Sequence, residues 1–171
     1  MVLAIAQAGS GSEVRDVADL FREYTAWAFT LTADSPEVPP TFGGFEEELA
    51  SLPGIYAPPM GRLLLATLDG RPAGCIALKG HDAETAELKR LYVRPAFRGQ
   101  ALGQHLVAAL VDEARGQGYR RIVLDSHMSM TRAHDIYLSA GFRKVATPAD
   151  FPEVLKPVVI FMELDLDPPA G

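Results

Sequence analysis

Residues 98–103, Arg98-Gly99-Gln100-Ala101-Leu102-Gly103, join one permanent cation and two glycines where an apolar strand pattern gives way to a helical one. Such a loop can turn several backbone N–H groups toward one point, and the helix that follows adds partial positive charge there. The Arg98 guanidinium is forked and always charged, which suits the oxygens of a phosphate. The chemistry on offer is the holding of a diphosphate. Neither G-x-x-x-x-G-K-[ST] nor G-x-G-x-x-G occurs, so the loop is not that of a nucleotide triphosphatase or a dinucleotide-binding turn. The plain alternative is a tight turn beside a solvated arginine, since short glycine-containing loops are common.

Other side chains offer less by themselves. Tyr137 stands among Ala133, Ile136 and Ala140 at helical spacing, either as a core aromatic or as a phenol able to protonate a leaving group. Strand alternation places Glu87, Lys89, Leu91 and Val93 on one face, where Glu87 either takes a proton or pairs with Lys89 or Arg90. His81, His105, His127 and His134 are scattered without ligand spacing, which predicts no metal site. His127 follows a strand that could border a cleft and reads as a loop histidine. Cys75 reads as a buried thiol, and Glu46-Glu47-Glu48 as a solvated helix face near its favourable end.

The elements that must position these residues follow from periodicity. An apolar first strand precedes Ser10-Gly11-Ser12-Glu13, whose S-x-x-E spacing is that of a capping box. A helix then runs from about 12 to 30 through Val14, Val17, Leu20, Phe21 and Tyr24. A loop over 32–40 leads to a short helix carrying Phe45, Leu49 and Leu52, ended by Pro53-Gly54. Strands over 62–68, 73–79 and 84–93 form an antiparallel meander whose first turn is Asp69-Gly70. After the loop come a helix with Leu102, Leu106, Val107, Leu110, Val111 and Ala114 in one stripe, a strand over 121–125, and the helix of Tyr137 capped by Gly141. Two strands, 142–145 and 158–166, finish an α/β mixed sheet of about seven strands flanked by about four helices, and a disordered tail is expected over 167–171.

With 171 residues, the chain is expected to form a single domain over 1–171. A net charge of −6 argues against nucleic acid as partner, and no run of about 20 apolar residues exists to enter a membrane. One cysteine excludes an intrachain disulfide and favours a reducing, cytoplasmic setting.

Two segments together carry a family resemblance. Glu87-Leu88-Lys89-Arg90-Leu91-Tyr92-Val93-Arg94-Pro95-Ala96-Phe97-Arg98-Gly99-Gln100-Ala101-Leu102-Gly103 resembles motif A of the GNAT (N-acetyltransferase) superfamily, a strand ending L-x-V-x-P before a loop [Q/R]-x-x-G-x-[G/A]. About thirty residues on, Ala133-His134-Asp135-Ile136-Tyr137-Leu138-Ser139-Ala140-Gly141-Phe142 is similar to the family's A-x-x-[L/I]-Y-x-x-x-G-F. The departure is Ala101, where the family's loop usually has glycine; a place in the first helical turn predicts helical dihedrals and no strain.

The resemblance implies transfer of an acetyl group from acetyl-CoA to a primary amine of a small molecule or peptide in a ternary complex, without a metal. It implies that the backbone of Leu91, Tyr92 and Val93 binds the pantetheine arm. It places Arg98, Gly99, Gln100, Ala101, Leu102 and Gly103 around the diphosphate, with Ala133 and Tyr137 beside the cofactor. Tyr137 would then protonate the departing thiolate and Glu87 would be the general base. Trp27, Phe42, Phe45 and Tyr56 fall where the family builds its acceptor pocket, although packing of the two N-terminal helices accounts for them equally well, and the pairing of C-terminal strands found in many such enzymes makes a homodimer possible. A non-catalytic acyl-CoA-binding or sensing module, or a preference for a longer acyl chain, stays open at this point.

Overall fold

Ser10 Oγ accepts a hydrogen bond from the Glu13 amide at 3.2 Å, and one Glu13 carboxylate oxygen accepts from the amides of Gly9 and Ser10 at 2.9 Å each. This reciprocal cap starts the first helix where the spacing predicts it. The two amides hold the Glu13 carboxyl below its ordinary pKa.

The computed structural model describes residues 1–31 and 44–166. The expected loop over 32–40, Phe42 and the tail from 167 onward lie outside the described residues. The elements are β1 (Leu3–Gln7), α1 (Gly11–Leu31), α2 (Phe45–Ser51), β2 (Arg62–Leu68), β3 (Arg71–Gly80) and β4 (Thr85–Val93). They continue as α3 (Leu102–Gly116), β5 (Arg121–His127), α4 (Thr131–Ser139), β6 (Arg143–Val145) and β7 (Val159–Asp165). The seven strands form one mixed sheet in the order β1-β2-β3-β4-β5-β7-β6. Each neighbouring pair is antiparallel except β4 with β5.

Alternation along β3 divides the core. Ile76 and Leu78 face α3, joining Leu106, Val107, Leu110, Ile122, Leu124 and Tyr137. Cys75 and Ala77 face α1, joining Val17, Leu20, Phe21 and Tyr92. Cys75 is fully buried, and desolvation pushes its thiol pKa far up, so it is an inert packing residue.

Two irregularities in the sheet prepare the site. The first is a bulge in β4: Cys75 pairs with Tyr92 but Ala77 pairs with Lys89, and Arg90 takes φ 62°. One extra residue reverses the alternation. Glu87 and Lys89 therefore do not share a face with Leu91 and Val93, which corrects the period-two expectation. Leu91 packs toward α3, while Tyr92 packs toward α1.

The bulge also aims Arg90 into the layer beneath α1 and α2. Its Nη2 lies 3.0 Å from Glu48 Oε2, and Tyr56 donates its hydroxyl to Glu48 Oε1 at 2.6 Å. Glu48 is thus not on a solvated face. Tyr56 is 0% exposed and belongs to this network, so it does not line an acceptor pocket. Phe45 packs its ring against the Arg90 guanidinium, 5.5 Å from ring centroid to the central carbon.

The second irregularity is where β4 and β5 part. They pair only at Thr85–Arg121, Ala86–Ile122 and Glu87–Val123. Beyond that point β5 stays with β7 as far as His127–Val159.

Candidate active site

The parting leaves one edge of β4 without a neighbouring strand. The Arg94 amide donates to Ala73 O at 2.9 Å, so the ladder turns the backbone groups of Tyr92 and Arg94 toward β3. Those of Leu91 and Val93 point into the gap, an edge suited to an extended amide-bearing ligand.

A cavity of about 550 Å³ lies along this open edge of β4. β4 supplies Leu91, Tyr92 and Val93 to its wall, and the loop after it supplies Arg98, Gly99 and Ala101. Leu102 and Gly103 come from the first turn of α3, Ala133 and Ile136 from α4, and Trp27 from α1. Gly103 has a steric reason: a Cβ there would stand 2.7 Å from Ile136 Cδ1, so its absence lets α4 close on α3 at the base of the cleft. Gln100 is exposed and outside the wall.

The loop is a concave row of donors. Gly99 has φ 83° and Ala101 φ 59°, both left-handed. The expectation of helical dihedrals at Ala101 is therefore corrected: Ala101 precedes α3 as its cap rather than joining its first turn. Alternating left- and right-handed residues make successive amides converge. From Gly99 to Gln104 these N–H groups have no acceptor among the described residues. An alanine in the left-handed region costs about 1 kcal/mol relative to glycine. Ala101→Gly is therefore expected to raise stability by about 0.5–1 kcal/mol in urea unfolding, since glycine's larger unfolded-state entropy takes back part of the gain. An unchanged or lower midpoint would mean that the strain is relieved elsewhere.

Arg98 is held at the mouth of the loop. Its Nε donates to Val93 O at 3.0 Å, and its guanidinium lies 5.3 Å from the Trp27 ring centroid and 5.9 Å from that of Tyr92.

Tyr137 does not form part of the cavity wall. It is 5% exposed and packs against Phe142, with ring centroids 5.7 Å apart. Burial pushes its phenol pKa well up, and the Tyr24 phenol adds to the shift.

Comparison with known proteins decides what this arrangement belongs to. Residues 19–142 match the acetyltransferase (GNAT) family. The chain belongs to the GNAT family of N-acetyltransferases. An uncharacterized N-acetyltransferase of Schizosaccharomyces pombe is 34% identical over 128 residues, 74% of this chain and 77% of that one. The PaiA N-acetyltransferase of Thermoplasma acidophilum, solved in complex with coenzyme A, shares the fold with a TM-score of 0.72 at 19% identity, over 97% of this chain and 100% of that one. A GNAT acetyltransferase of Elizabethkingia anophelis with acetyl-CoA bound gives a TM-score of 0.67 at 20% identity, over 96% and 98% of the two chains.

On the α1 side, this GNAT acetyltransferase carries two residues that the sequence analysis did not single out for chemistry. Tyr24, read there only as part of a helical stripe, packs edge-on against Tyr92 at 6.2 Å and points its hydroxyl toward Met130 Sδ at 3.7 Å. Desolvation raises its pKa to about 12, Arg90 opposing and Asp125 adding to the shift. Asp125 lies two residues past Val123, which pairs with Glu87, so alternation puts both carboxylates on the α1 face. Partial desolvation, followed by the Glu87 charge, raises the Asp125 pKa. Glu87 itself is held by His81 Nε2 at 2.6 Å and lies 3.7 Å from Lys89 Nζ.

The remaining histidines are structural neighbours of this region. His127 ends β5 rather than lying in a loop; its Nδ1 is 2.7 Å from Ser129 Oγ, and its Nε2 is buried without a partner among the described residues. His134 Nε2 lies 3.0 Å from Ser126 Oγ. Desolvation lowers both pKa values. The described residues contain no group of three or more His, Cys, Asp or Glu arranged for a metal, and no helix among them is long and apolar enough to cross a membrane.

Proposed function

We propose that this N-acetyltransferase, as one catalytic domain over 1–171 in a cytoplasmic setting, moves an acetyl group from acetyl-CoA directly to a primary amine of a small molecule or peptide. The observation that carries the reading is the parting of β4 and β5 immediately after Glu87–Val123, with the amides from Gly99 to Gln104 left without acceptors among the described residues beside the opened edge. The residues present fit the cofactor: an open strand edge for its amides, convergent donors and a cation for its diphosphate, and a cavity within the usual range for a bound small molecule.

Acetyl-CoA, bound as a substrate, would supply the activated acyl group as a thioester and leave as the free thiol of coenzyme A. The chain supplies the rest. Leu91 and Val93 align the arm by backbone pairing, and the loop from Arg98 to Gly103 neutralises the diphosphate. Tyr137 donates a hydrogen bond to sulfur as negative charge grows there; its raised pKa keeps it protonated throughout the working pH range. An amine arriving from the α1 side must lose a proton, and Glu87 with Asp125 is the carboxylate pair on that face. Glu87 is paired there with His81 at 2.6 Å and lies 3.7 Å from Lys89, and the non-catalytic acyl-CoA-binding reading is the alternative that an amine panel must separate.

A panel of primary amines with acetyl-CoA, followed by detection of free thiol, tests the reading. Release that depends on the amine supports it; no release with any amine, from folded protein that binds coenzyme A, overturns it.

Asp125 gives a second measurable sign. Its folded pKa lies above the unfolded value, so its contribution to stability is fully present below the unfolded pKa of about 4 and is lost as pH rises through the raised one. Asp125→Asn is expected to melt higher than wild type near neutral pH, with the gap closing in acid, and to turn over more slowly. A variant that is both less stable and fully active would remove Asp125 from the site.

A further inference from the structure

We infer that Trp27 is a positioning residue for the cofactor, holding the Arg98 guanidinium over the diphosphate end of the cleft and tying that end to α1. This rests on the coenzyme A reading above and goes beyond it, because the family resemblance places Trp27 in the acceptor pocket. Trp27 lines the same cavity as Gly99 and Ala101. Its ring centroid lies 5.3 Å from the guanidinium carbon and 6.0 Å from the Tyr92 ring centroid.

The hold on Arg98 leaves its working edge available. Aromatic rings attract a guanidinium through its face, whereas phosphate oxygens take its N–H edge. Nε is used on Val93 O, and the two terminal nitrogens have no acceptor among the described residues. Arg98 is therefore oriented before a diphosphate arrives, which lowers the entropy lost on binding.

The same stack reaches the acceptor side. Trp27 and Tyr24 have ring centroids 6.2 Å apart, and Tyr24 also packs against Tyr92.

Trp27 is the chain's one tryptophan, so tryptophan emission reports the surroundings of this residue, and the Arg98 variant isolates the guanidinium's share. The full chain is titrated with coenzyme A while calorimetry measures affinity. Wild type is expected to change its Trp27 emission on binding. Arg98→Ala is expected to bind roughly tenfold more weakly, the scale of a charge-assisted hydrogen bond, and to lose most of the emission change at saturation. Trp27→Leu should weaken binding about threefold or more, Trp27→Phe should restore most of it, and Trp27→Leu added to Arg98→Ala should cost little further, because the two residues act as a unit. Binding by calorimetry with flat emission, an undiminished response in Arg98→Ala, or additive penalties would overturn the inference. Absence of any binding to folded wild type would instead remove the coenzyme A reading beneath it.

Discussion

Tyr137→Phe is expected to lower kcat by about 10- to 100-fold while leaving coenzyme A affinity within about twofold, because a hydrogen bond to a charged group is worth about 1.5–3 kcal/mol and each 1.36 kcal/mol is tenfold in rate. The phenol sits in a residue 5% exposed, and burial keeps it protonated. Removing one oxygen keeps the ring packed on Phe142, so the variant should be as stable as wild type or slightly more so. Slower turnover in a protein that melts no lower separates a catalytic loss from a structural one. The measurement is thiol release with the best amine of a panel, alongside a thermal melt. Unchanged kcat would leave Tyr137 as packing alone.

Local features of the chain made the elements readable. Gly and Pro punctuation, apolar stripes and the Ser10–Glu13 box act within a few residues, and the strands and helices fall near where they predict. The loop at 98–103 was legible for the same reason: its cation and glycines are contiguous. Ala101 was misjudged because composition carries no dihedral; a residue between strand and helix can enter the turn or cap it, and here it caps with φ 59°. The face of Glu87 depended on a bulge marked by no glycine, only by Arg90 at φ 62°. Asp125 was hidden for a different reason. Its side became clear only from the last β4–β5 pair, Glu87 with Val123, a register set by residues far apart in the chain. The sequence thus displayed the cofactor end, which is local, better than the acceptor end, which several distant segments assemble.

Glu48→Ala tests that assembly where it is most concentrated, with an expected loss of about 3–5 kcal/mol, the range for removing one partner of a buried ion pair. Glu48 and Arg90 side chains are 13% and 10% exposed, and Glu48 accepts from both Arg90 and the fully buried Tyr56. Without the carboxylate, the guanidinium beneath the rings of Phe21, Tyr24 and Phe45 loses its Glu48 partner, and a buried phenol loses its acceptor. For a chain of this length the loss corresponds to a fall of roughly 6–20 °C in Tm, at about 2–4 °C per kcal/mol. The effect should reach function as well, since Tyr24 rests on the Arg90 guanidinium and faces the gap. Pairing Glu48→Leu with Arg90→Met removes both charges, and much of the stability should return, because the penalty comes from a buried charge deprived of Glu48 rather than from a lost attraction. If the double variant is as unstable as Glu48→Ala, the network's value lies in its geometry at the bulge. Activity that returns together with stability would identify the pair as a scaffold for Tyr24, whereas stability without activity would place Arg90 itself in the acceptor site.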